Sequence, residues 1–158
     1  MQSPVILLAT TLMVLAAPAV RGDTISCTAA DEIRGRGQRK TDLTLEVHGD
    51  AVVGLRYVVI VSDGKGTSVD ACRIEVSEGD GLSRWSRSGD TVKVFDKKSI
   101  EDEHEGSYTE VETLPGGYRL NLAHISRNHC ANDADIPATV TVKKGDKDCA
   151  VTYKTPAR

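Results

Sequence analysis

Three stretches of this chain gather the side chains whose chemistry and spacing could do something. The first is acidic: Glu101, Asp102, Glu103 and Glu105 surround His104 within the segment DKKSIEDEHEG, residues 96–106. Carboxylates at that density can hold a hard cation or dock onto a basic surface. Calcium loops space their oxygens around a mid-loop glycine with a distal glutamate, an arrangement this segment lacks, so a solvated acidic rim is the expectation. The second is basic: RGRGQRK brings Arg34, Arg36, Arg39 and Lys40 together between glycines. Guanidinium forks without bulky neighbours can grip a phosphate, a sulfate or a carboxylate. No aromatic side chain lies among them for base stacking, which argues against nucleic acid. The simpler reading is a mobile loop between the first two strands. The third is the pair His124 and His129, five apart beside Cys130, which matches neither HExxH nor a common zinc spacing. No GxSxG surrounds a serine. The sequence therefore implies no enzyme, no catalytic residue, no metal and no cofactor.

The four cysteines, Cys27, Cys72, Cys130 and Cys149, contain no CxxC pair. An even count in an exported chain predicts two disulfides. Three pairings exist; Cys27–Cys72 with Cys130–Cys149 is favoured, because each would tie segments that a sequential antiparallel fold keeps near one another. Export itself is expected from residues 1–22. Val5 to Val20 carry no charge, and the run is too short to anchor in a bilayer but matches the apolar region of a signal peptide. Ala17-Pro18-Ala19 and Val20-Arg21-Gly22 offer small-residue cleavage zones. Loss of residues 1–22 removes Arg21 alone among the charges, leaving 19 Lys and Arg against 23 Asp and Glu, a formal charge of −4. Such a domain has no global field that favours nucleic acid or anionic lipid.

The elements that must position these groups read as strands. After the signal, hydrophobicity alternates with period two between short turn clusters. Leu43, Leu45 and Val47 share one face, as do Cys72, Ile74 and Val76. Gly49-Asp50, Gly89-Asp90, Gly116-Gly117 and Gly145-Asp146 mark hairpins, where glycine accepts the positive φ a tight turn needs. No dozen residues outside the signal keep a 3.6 period. Residues 23–158 are thus expected to form a single all-β domain, an antiparallel meander of about 8–10 strands closing into a small barrel or a sandwich. With one Phe, one Trp and four Tyr, its core must rest on Val, Leu, Ile and Ala.

The run from Cys130 through Ile136-Pro137-Ala138-Thr139-Val140-Thr141-Val142 to Lys144-Gly145-Asp146-Lys147-Asp148-Cys149 resembles small proteobacterial periplasmic proteins. In those proteins a Cys, a Pro-bounded strand, a glycine turn and a second Cys form a terminal hairpin. The whole mature pattern is similar to the periplasmic inhibitors of C-type lysozyme, small disulfide-bonded β-barrels that insert a Ser- and Tyr-bearing loop into the lysozyme cleft. Gly106-Ser107-Tyr108, beside the acidic segment, is the nearest counterpart of that loop; the inhibitors' second motif, a Tyr followed by Thr-Lys-Gly, is not found. The resemblance implies a protein partner, a cationic lysozyme-like hydrolase, met by Ser107 and Tyr108 with Glu101, Glu103 and Glu105 steering it. The chain would act in a periplasm or in the extracellular medium, with no membrane anchor once the signal is cleaved. A lipocalin-like carrier of a small apolar ligand and a small glycan-acting enzyme are the alternatives.

Overall fold

Successive side chains of a strand point to opposite faces, so a period-two pattern can bury one face only by stacking it on another sheet. The computed structural model describes residues 22–33, 37–97, 100, 107–125, 130 and 137–153 and shows ten antiparallel strands in two sheets. The first sheet holds β1 (Gly22–Ile33), β2 (Gly37–His48), β3 (Ala51–Ser62) and β4 (Ser68–Ser77) in sequence order. The second holds β5 (Ser83–Ser88), β6 (Thr91–Asp96), β7 (Thr109–Leu114), β8 (Gly117–Asn121), β9 (Pro137–Lys143) and β10 (Ala150–Tyr153), also in sequence order. Neighbours in the chain are neighbours in space throughout each sheet, as an all-β meander requires. The expected signal segment lies outside the described residues except for Gly22, which opens β1 opposite His48.

One core joins the sheets. From the first come Leu43, Leu45, Val47, Leu55, Tyr57 and Val59; from the second come Val92, Val94, Val111, Tyr118, Leu120, Val140 and Val142. Each fully buried aliphatic side chain of this size contributes about 1.5–3 kcal/mol of transfer free energy. The residue counts that excluded an aromatic core are answered by valine and leucine, whose branched side chains suit a pleated surface. Val52 and Leu55, three apart, both point inward because the β2–β3 register shifts between Glu46 and Val47. Such a bulge places one extra residue on β3 and resets the alternation. The carbonyl it leaves unpaired, that of Val53, accepts from the Glu78 N–H at 2.7 Å. On the opposite face Val58 is also buried, between its ladder neighbours Asp42 and Arg73.

The disulfides correct the favoured pairing. Cys27 joins Cys149 and Cys72 joins Cys130. Cys27 lies on β1 and Cys72 on β4, the two opposite edges of the first sheet. Three strand spacings of about 4.8 Å put those edges about 14 Å apart, twice what a disulfide spans. Each cysteine instead reaches the second sheet's side of the sandwich. Thr28 and the segment before β10 exchange hydrogen bonds, Thr28 N–H to Lys147 O at 2.9 Å and Cys149 N–H to Thr28 O at 3.0 Å, which sets Cys149 beside Cys27. An antiparallel bridge does the same for Cys72 and Cys130. The crosslinks therefore clasp the sandwich at both edges of the first sheet. The stretch from Lys144 to Cys149 joins β9 to β10 as the expected hairpin, with Gly145 at a φ of +91° and the Asp146 N–H donating to Lys143 O at 3.1 Å, and its far end also serves that closure.

Candidate functional site

The basic segment is divided by the fold. Gly37–Lys40 belongs to β2, not to a loop, so its side chains alternate between faces. Arg39 points inward and is buried, and its Nε–H donates to Asp31 Oδ1 at 2.9 Å while Nη2 engages Oδ2. Lys40 points outward and pairs with Asp42 at 3.1 Å. Arg34 and Arg36 lie outside the described residues, as do Glu101, Glu103 and Glu105. Arg39 and Lys40 thus point to opposite faces, and each is held by a carboxylate of the first sheet.

Around Arg39 a polar cluster spans the two sheets. Its guanidinium lies 3.5 Å from the centre of the Tyr153 ring, and the Tyr153 hydroxyl donates to Asp31 Oδ1 at 3.1 Å. The Arg39 guanidinium beside Asp31 holds that carboxyl below the usual range, against an opposing effect of burial. Burial pushes the Tyr57 and Tyr153 phenols upward. The Tyr57 hydroxyl and Thr41 Oγ1 are buried with no hydrogen-bond partner among the described residues. This cluster holds β10 against the first sheet.

The exposed candidate is on the outer face of the second sheet. Ser107 is buried, whereas Tyr108, next in the chain, is half-buried just ahead of β7. The Tyr108 N–H donates to His124 O at 3.3 Å, and the turn after β8 is set by Asn121 Oδ1 accepting from Ala123 N–H at 3.0 Å. That geometry stacks the His124 imidazole on the Tyr108 ring, centroids 4.5 Å apart and planes 17° apart. Phe95 of β6 meets the same ring at 5.6 Å, tilted by 47°. Two cations complete the row: Arg84 of β5 sits 4.5 Å over Phe95, and the Lys93 ammonium sits 4.6 Å over Tyr108. Four segments distant in sequence thus build one strip, Arg84–Phe95–Tyr108–His124, with Lys93 alongside. Sequence reasoning reached Tyr108 alone. Lys93 and Phe95, two apart on β6, carry a signal of a shared outward face, but Arg84 and His124 needed the sheet order to join them.

At the opposite, turn-bearing end an open groove of about 230 Å³ is lined by Asp50, Val52, Arg87, Asp90, Thr91 and Thr113 among others. Two of its charges, Asp50 and Arg87, are engaged internally. Lys144 pairs with Asp50 at 2.8 Å, and Arg87 donates to Val52 O at 2.8 Å and to Glu78. Among the described residues no three His, Cys, Asp or Glu side chains converge as a metal site, and no helix is long and apolar enough to cross a membrane. No family model, no curated protein and no solved structure matches this chain.

Proposed function

We propose that this chain is an exported binding module, an inhibitor-type partner of a cell-wall hydrolase, that engages it through the outer face of the second sheet. One observation carries the proposal: the strip of Phe95, Tyr108 and His124 with Arg84 and Lys93, rigid by stacking and still accessible. Protein interfaces concentrate their energy in aromatic and arginine side chains held in place before binding, because such groups lose little conformational freedom on docking. The two disulfides fit a chain that matures in an oxidising compartment, which agrees with the apolar leader. The carrier alternative needs an apolar cavity between the sheets. That space is filled by Leu43, Leu45, Tyr57, Val94, Leu120 and their neighbours, which disfavours a carrier.

The test is direct. Purified, disulfide-bonded chain is titrated into a C-type lysozyme while the clearing of a bacterial cell-wall suspension is followed by turbidity. The proposal expects loss of lysozyme activity near stoichiometric ratio and recovery of activity as sodium chloride is raised. Unchanged activity at micromolar excess rejects it.

A further inference from the structure

A strand at the edge of a sheet leaves one row of its N–H and C=O groups without a ladder partner, and folded proteins close or blunt such rows. Three of the four edges here are treated in that way. β1 is tied through Thr28 to the segment before β10. β4 meets Cys130 at Cys72 and carries Asp70, Arg73 and Glu75 as a charged row. β10 is four residues long, and its register shifts before Tyr153. β5 differs. It runs six residues in unbroken register with β6 and contains no proline, lysine or carboxylate. Among the described residues no backbone group bonds to its outer side.

The two-residue turn Gly89-Asp90 closes on Ser88 and Thr91, so Ser88, Ser86 and Arg84 exchange their hydrogen bonds with β6. The N–H and C=O of Ser83, Trp85 and Arg87 therefore point away from the sheet. The row Ser83-Arg84-Trp85-Ser86-Arg87 is complementary to itself when run antiparallel about Trp85. Trp85 then faces the second copy's Trp85, Arg84 faces Ser86, and Ser83 faces Arg87. Centring the pair on Arg84 or on Arg87 opposes like charges, and centring it on Ser86 carries Ser83 past the strand into the turn.

We infer that this chain self-associates as a two-fold dimer through antiparallel pairing of β5, joining the second sheets of two copies into one. The side chains suit that pairing on both faces. Asp80 Oδ1 accepts from the Ser83 hydroxyl at 2.9 Å, so the second copy's Arg87, opposite Ser83, comes beside a carboxylate. The Arg84 guanidinium lies over Phe95 of its own copy, drawn back from the edge. Trp85 is only half-buried, its indole N–H donating to Ser83 Oγ at 2.8 Å, and the facing indole covers the part left in solvent. This inference is independent of the inhibitor reading.

The experiment follows the mass of the full disulfide-bonded chain by sedimentation equilibrium from micromolar to millimolar concentration. Emission of Trp85, the sole tryptophan, is recorded over the same range. Wild type passes from one chain to two, and the emission moves to the blue as the second copy covers the indole. Ser86→Lys sets a lysine opposite the second copy's Arg84, twice in each dimer, and weakens association about tenfold. Adding Arg84→Glu to Ser86→Lys opposes glutamate to lysine, and association returns to the wild-type strength or above it. Lys65→Gln, in the exposed β3–β4 connection, leaves association unchanged. Far-ultraviolet circular dichroism at micromolar concentration checks that each variant keeps its strands. A chain that stays at one mass throughout overturns the inference. A dimer that Ser86→Lys leaves intact, or that the double variant fails to restore, is built on another surface or register and overturns it as well. So does a mass that keeps growing beyond two chains, since pairing of β5 alone closes at two.

Discussion

Arg39 and Asp31 face each other across the β1–β2 ladder, and the guanidinium of one is bound by both carboxylate oxygens of the other beneath the ring of Tyr153. Arg39 is buried, so removing its partner strands a charge, whereas Asp31 keeps about a third of its side chain in solvent and screening lowers the cost. Asp31→Asn is expected to destabilise the fold by about 1–2 kcal/mol at pH 7 in urea unfolding. Because the Asp31 carboxyl is held below its ordinary value, its contribution is complete above about pH 4 and is lost as pH falls through the depressed folded value. The difference between wild type and Asp31→Asn therefore shrinks in acid. An unchanged difference at pH 2 would show that the pair adds nothing by ionisation.

The crosslinks lend themselves to mapping. Proteolysis without reduction, followed by mass spectrometry, should yield peptides joined through Cys27–Cys149 and Cys72–Cys130. Both close long loops, of 122 and 58 residues in sequence separation, and loss of either to paired alanines is expected to lower stability by about 2–5 kcal/mol. Recovery of Cys27–Cys72 peptides would contradict the order of strands in the first sheet.

Tyr57 makes an alkaline prediction. Burial raises its phenol, so the folded chain keeps it neutral at a pH where the unfolded chain would ionise it. That stabilisation is complete below about pH 10 and drains away as pH rises beyond it. Tyr57→Phe should remove part of this alkaline sensitivity. It also deletes a buried hydroxyl with no partner among the described residues, so a gain of about 1 kcal/mol at pH 7 is expected. Thermal unfolding at pH 7 and pH 10.5 decides the matter; a loss of stability at both values would count against it.

Gly116 and Gly117, adjacent in one turn, should respond differently to alanine. Gly116 has a φ of +79° with open space around it, so Gly116→Ala costs about 1–2 kcal/mol of backbone strain alone. At Gly117 a Cβ would stand 2.3 Å from the backbone oxygen of Val142, where neither partner can swing aside. The β8–β9 ladder must part, and Gly117→Ala is expected to cost about 2–3 kcal/mol. Denaturant midpoints of the two variants test the order; equal midpoints would mean the ladder yields without penalty.

Much of the architecture could be read along the chain. Leu43, Leu45 and Val47 announce β2 because alternation is a property of the extended backbone itself, and Gly49-Asp50 and Gly89-Asp90 mark true hairpins because positive φ is a local steric demand. Where local signs misled, a distant contact had overridden them. Gly37–Lys40 looks like a loop by composition and is a strand because Arg39 finds Asp31 opposite it. Lys144 to Cys149 is the hairpin its Gly-Asp pair announces, but the hydrogen bonds of its far end to Thr28, which clasp it to β1, have no local sign.

The sequence by itself thus determined the class of fold, the alternating faces, most of the turns and the presence of two disulfides. Only the tertiary structure decided which cysteines meet and that Arg84, Phe95, Tyr108 and His124 form one strip. The division has a physical cause. Backbone sterics and side-chain alternation act over a few residues and are written into every short window. The pairing of sheet edges and the meeting of side chains from separate strands follow from stacking two sheets on a common core, a free energy that belongs to the whole chain and to no segment of it.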